Sequence, residues 1–477
     1  MSLSHLDDWL SRLGWRRRGG RLAAAAVAAS LLAAPAPAVS GTAPALGAES
    51  RDGGRPAAGP AGPRQPRADN PYAGVRVYVD PEWAARARAH PGGAAVAGLP
   101  TAVWIDRAAA VHGAGGTGGR TMGLRDHLDA ALAQGAGLIQ LVLHNLPGRS
   151  CARPAWHGEL GPGDIGRYRT EFIDPIADIL GDPAYASLRV VAVIEPESLS
   201  SLVLHTRPRQ PAIALCETMK ANGNYLAGIG YALGRLGDLP QVYLYLDAGH
   251  HGALGRPDSR IPVAQLFYQA ATTAGARPAD VHGFTVNLAG YGALREPFLH
   301  LTDTVHGTPV HDSRWIGGNR HLDELSYART LREQLVSFGF GSGIGMIVDT
   351  SRNGWGGPDR PTGPAAGAPG VDSHVNASRL DRRHSSTHWC NQENAGLGER
   401  PAASPGPGID AYAWLKPPGE SDGSAAGFPG AAGRRADPMC APRHPAGPTG
   451  ALPGGPPFGR WFPEHFTRLL ANAQPPL

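Results

Sequence analysis

Residues 189–199 read RVVAVIEPESL. Five uninterrupted apolar residues, 190–194, four of them β-branched, suit a strand buried on both faces, as in a parallel sheet. Pro196 ends that strand, and two acids, Glu195 and Glu197, stand at its C-terminal end.

The pattern repeats on either side. Short apolar runs occupy 75–79, 102–105, 138–143, 242–246, 284–286, 346–348 and 412–415. Stretches with helical spacing lie between them at 124–132, 172–180, 212–236, 263–271 and 325–338. Strand–helix alternation of this kind predicts an α/β fold with a parallel sheet. The first run is not followed by GxGxxG, which argues against a dinucleotide fold. Polar residues follow the runs directly: Asp106, His144 and Asn145, Asp247 and His250, Asn287, Asp349, then Lys416, Glu420 and Asp422. In a closed barrel the C-terminal strand ends converge on one mouth, so a cleft rich in carboxylates is expected. Long Gly/Pro-rich loops at 350–376 and 417–460 are read as covers over it. Trp104, Trp156, Trp355 and Trp389 fall near the strand ends or these loops. Their flat faces suit stacking on sugar rings, although any one of them alone reads better as core.

Composition narrows the class. The 477 residues carry 18% charged side chains and a formal net charge of +4, without a basic stripe, so nucleic-acid binding is not expected. Arg16, Arg17 and Arg18 precede an apolar, Ala-rich run at 22–34 and then small residues, the pattern of an export signal over 1–40. The run is short for a membrane anchor. Residues 41–69 are dominated by Gly, Pro, Ala and Arg, which reads as a disordered leader. The folded domain is placed at 70–477. Cys151, Cys216, Cys390 and Cys440 form no CxxC pair and no zinc spacing. In an exported chain they suggest two disulfides. Three connectivities are open, with neighbour pairing favoured. No metal or other cofactor is called for: the acids of DTSRNGWGGPDR are too few for a calcium loop.

From Asn70 to Leu477 the chain resembles glycosyl hydrolase family 6, the cellobiohydrolases and endoglucanases, and most closely its bacterial exo-acting branch. The resemblance rests on ordered blocks that include NPYAGVRVYVDP, TAVWIDR, NLPGRSCA, IEPESL, YLDAGHHG, VDTSRNGWGGPDRPTGP, WCNQENAGLGERP and DAYAWLKPPGESDG. It implies a distorted (β/α) barrel of about seven parallel strands, loops forming a tunnel or cleft, two disulfides, and inverting hydrolysis of β-1,4-glucan without a cofactor. An inverting enzyme pairs an acid with a base roughly 6.5–9.5 Å apart. By resemblance the acid falls on Glu197, the debated base on Asp422 and a supporting acid on Asp247. Sugar contacts fall on Trp104, Asp106, His250, Trp389, Lys416 and Glu420. A secreted monomer without stable membrane association is expected.

The departures cluster at the chemistry. Glu197 stands where the family has Asp, Ser150 replaces an Asp, and His144 replaces a Tyr. Trp156-His157 replaces Ser-Asn, and Ala253 and Arg256 replace two Trp. Two readings stay open: a site retuned to another β-linked glucan, or a glucan-binding protein whose catalysis has decayed.

Overall fold

The computed structural model describes residues 69–113, 119–427 and 435–477. These lie in the second of two contact units, Pro63–Leu477. The expected export signal and all but the last residue of the leader fall outside the described residues.

Eight strands form one sheet: β1 (Val103–Ile105), β2 (Leu138–Leu143), β3 (Arg189–Ile194), β4 (Val242–Asp247), β5 (Val281–Val286), β6 (Gly345–Asp349), β7 (Ala402–Gly406) and β8 (Ile409–Ala413). Their order is β1-β2-β3-β4-β5-β6-β8-β7. Every neighbouring pair is parallel except β8 with β7. The seven parallel strands curl until Thr101 bridges Trp414 just beyond β8, and Ala102 N donates to Trp414 O at 3.1 Å. A full ladder does not close the ring, so the barrel is distorted.

Alternation along each strand divides the core in two, because successive side chains point to opposite faces. Val190, Ala192 and Ile194 face outward with Leu244 and Leu246, against the helices. Val191, Val193, Tyr243, Tyr245 and Ile347 face inward and fill the barrel. Hence both faces of β3 are apolar, as the opening run required.

Two expectations are corrected. The run at 75–79 gives only an isolated bridge, Val77 to Leu138. Asp80 caps the helix Pro81–Ala89, accepting from Glu82 N at 2.9 Å, and so takes the chain out of the sheet. The single helix over 212–236 is two, Ala214–Asn222 and Asn224–Gly237, broken where Gly223 turns left-handed at φ 70°. Trp355 is core, in keeping with the reading of any one of the four Trp alone, with its indole donating to Tyr291 O at 2.8 Å. The cysteines pair as neighbours, Cys151–Cys216 and Cys390–Cys440.

Candidate active site

Beyond β3 the chain turns sharply, with Glu195 at φ 49° and Glu197 at φ 62°. Left-handed backbone costs a non-glycine residue about 1 kcal/mol or more, so something must hold each. The Glu195 carboxylate accepts from Asn145 N and Leu146 N, each at 3.0 Å, clamping the turn after β2. It is a positioning group. Glu197 N donates to Asp247 Oδ2 at 2.9 Å, at the end of β4. Glu197 caps the helix Ser198–Leu204 and turns its carboxylate to Arg153, with Nη1 2.5 Å from Oε1.

The charge states of this side follow from burial. Burial lifts Glu197 to about 7; Arg153 pulls against the rise, and Asp247 and then Asp422 add to it. Burial likewise pushes Asp247 to about 6, against the backbone hydrogen bonds from Glu197 and Gly249.

Asp422 stands beyond β8 in a contrasting setting. Its Oδ1 pairs with Arg352 at 2.7 Å, and both side chains are fully buried. Its Oδ2 accepts from Tyr291 Oη at 2.6 Å and from Asn391 N at 2.8 Å. Burial would raise this carboxyl, but Arg352 and then Lys416 hold it below the usual carboxylate range. Lys416 is buried too, with its ammonium 3.6 Å from Glu420 and 5.0 Å above the Trp104 ring. Arg120 ties Glu420 (2.8 Å) to Asp80 (2.6 Å).

The remaining sequence candidates gather at the same mouth. Trp104 donates from its indole to Leu415 O at 2.8 Å. Asp106 lies 3.3 Å from Arg107 and 3.7 Å from Arg149. His250 packs near Arg383 and Arg153, and burial followed by their charge holds it neutral. Trp389 sits beneath Arg153, whose guanidinium lies 4.5 Å from the ring centre. His144 meets Ser150 Oγ at 3.1 Å through Nε2; burial and then Arg149 keep it neutral. The His144 Nδ1, His250 Nδ1 and Lys416 Nζ atoms are buried without a hydrogen-bond partner. Arg256 is exposed.

Sequence reasoning missed Arg153, Arg120 and the role of Arg352. Arg352 lies in a quoted block, and its place just after the acid ending β6 was a usable signal. Arg153 carries a local hint only, a charge between Cys151 and Pro154 in the segment that departs most from the family.

Residues 71–473 match the family described as Glycosyl hydrolases family 6. The chain belongs to that family. Exoglucanase A of Cellulomonas fimi is 43% identical over 436 residues, covering 85% of this chain and 48% of that protein. The chain thus spans about half the length of that relative. The 1,4-beta-D-glucan cellobiohydrolase C of Emericella nidulans is 32% identical over 421 residues, covering 85% and 79%. Among solved structures, the catalytic domain of Cellulomonas fimi Cel6B is similar with a TM-score of 0.80 and 41% identity, covering 86% and 96%. Cellobiohydrolase II (Cel6A) from Humicola insolens, in complex with glucose and cellotetraose, gives a TM-score of 0.65 at 29% identity, covering 86% and 100%.

Proposed function

We propose that this chain is a secreted hydrolase that cuts β-1,4-glucosidic bonds of cellulose or a related β-glucan with inversion, releasing cellobiose. One observation carries the reading. A single mouth holds two carboxyls driven in opposite directions, the largely covered Glu197 up to about 7 and the buried Asp422 down. Such a divergence is how one site keeps an acid protonated beside an ionised base. Below pH 7 Glu197 carries the proton that the leaving oxygen needs. Asp422 stays charged because its oxygens accept from Arg352, Tyr291 and Asn391, and it draws a proton from water directly or through a relay. Asp247 fixes the Glu197 backbone.

Asp106, His250, Lys416 and Glu420 are assigned to polar contacts with the sugar, and Trp104 and Trp389 to the walls of its slot. Lys416 Nζ, paired with Glu420 at 3.6 Å but without a hydrogen bond, and His250 Nδ1 support this, since buried polar atoms lacking hydrogen bonds are costly and hydroxyls would satisfy them. Residues 1–40 are assigned to export and 41–69 to a leader ahead of a monomeric domain at 70–477. None of the described helices is long and apolar enough to cross a membrane.

The test is product analysis with cellohexaose and swollen cellulose, following anomeric configuration by NMR. Inverted cellobiose is expected, and Glu197→Gln should lower kcat at least about a hundredfold. Unchanged turnover in that variant overturns the assignment. A second reading, glucan binding without turnover, is favoured by one contact: the Arg153 guanidinium occupies the Glu197 carboxylate. Binding without product from any β-glucan would establish it.

A further inference from the structure

Trp104 and Trp389 are only 6% and 8% exposed. A stacking platform must present an open face, so what covers them matters. Trp156, wholly buried, stands between the two. Its ring lies 6.1 Å from Trp104 and 6.0 Å from Trp389, nearly perpendicular to both at 86° and 84°. Phe458 packs against Trp156 at 4.7 Å. Cations take up further faces, with Arg153 over Trp389 and Lys416 over Trp104. The indole N–H of Trp156 is bound to Asp422 O at 2.7 Å, so the ring is oriented as well as packed.

Nothing about this segment is loose. Trp156 ends a short turn, Pro154–Trp156, that opens on a proline. Arg149 Nε donates to Trp156 O at 2.9 Å, and Ala155 N donates to Asp437 Oδ2 at 3.4 Å. Cys151 ties the preceding residues to Cys216. A tryptophan held in this way is a filler, not a swinging lid.

We propose that Trp156, with Arg153 beside it, is a fixed plug in the slot between Trp104 and Trp389, so that a glucan chain gains no ring stacking from either. The inference rests on the β-glucan reading of the site and specifies how that site is restricted. The plug excludes a pyranose ring from the slot and weakens affinity there, and it borders the carboxyl pair, with the Trp156 indole on Asp422 O and Arg153 on the Glu197 carboxylate.

Calorimetric titration with cellohexaose decides it, comparing the unchanged protein with Trp156→Ser and Arg153→Ala, each checked for folding by thermal unfolding. Two recovered stacking faces should tighten binding about tenfold in Trp156→Ser. Arg153→Ala frees one face and should gain about threefold. Trp389→Ala placed on Trp156→Ser should remove most of the gain. If Trp156→Ser does not fold, Arg153→Ala carries the test. No gain in any folded variant overturns the plug. Product analysis run in parallel separates the two ideas: a gain in affinity without product sinks the hydrolase reading and leaves the plug standing.

Discussion

The two sides of the barrel mouth differ in one respect that matters. On the β3–β4 side, the largely covered Glu197 and the buried Asp247 share one guanidinium, Arg153, which pairs with Glu197. On the β8 side, Asp422 is buried deeper but holds Arg352, Tyr291 and Asn391 on its two oxygens. Burial acts on both sides in the same sense, against ionisation. The number and closeness of partners decide which carboxyl overcomes it. Depth alone therefore does not tell acid from base; the donors around the oxygens do.

The contrast is open to attack at each partner. Arg352→Ala should have the largest effect: it leaves a fully buried carboxylate unpaired, at a cost of about 3–5 kcal/mol of stability in chemical denaturation. A loss under about 1 kcal/mol would mean Asp422 is not held as an anion, and the contrast would collapse. Arg153→Ala acts on the other side and is smaller. Arg153 lowers Glu197, so its removal lets burial lift the carboxyl further. The alkaline limb of kcat/KM, expected near pH 7, should then move up by about one unit. A downward move would reverse the assigned roles. Asp247→Asn should be smallest and opposite in sign, because Asp247 raises Glu197. The limb should fall by about half a unit, while an amide oxygen can still accept from Glu197 N.

Legibility followed the physics of each element. β3 and β4 were readable because β-branched residues on both faces leave few alternatives to a buried parallel strand. β7 was not, since AASPG at 402–406 is largely exposed and carries Pro405, which suits only an edge. The carboxyl positions were readable, being tied to strand ends. Their charge states were not, because Arg153 meets Glu197 and Arg352 meets Asp422 only through the fold. The four Trp show the same boundary. Sequence placed them near the mouth or its loops, but whether a ring stacks on sugar, fills a slot or packs the core depends on what covers its faces, and no periodicity records that.

The seam of the barrel has its own consequence. Between β1 and β8 the ring is fastened by Ala102 N to Trp414 O and by the Trp104 indole to Leu415 O, where other neighbours share a run of paired residues. Spreading the ring there breaks two hydrogen bonds, about 1 kcal/mol each; elsewhere it must unzip a ladder. One of the two fasteners is a wall of the plugged slot, so Trp104 serves the barrel and the site at once. A mutation at that position would loosen the wall itself, and any change in grip after Trp104→Ala would carry the opening of the barrel with it.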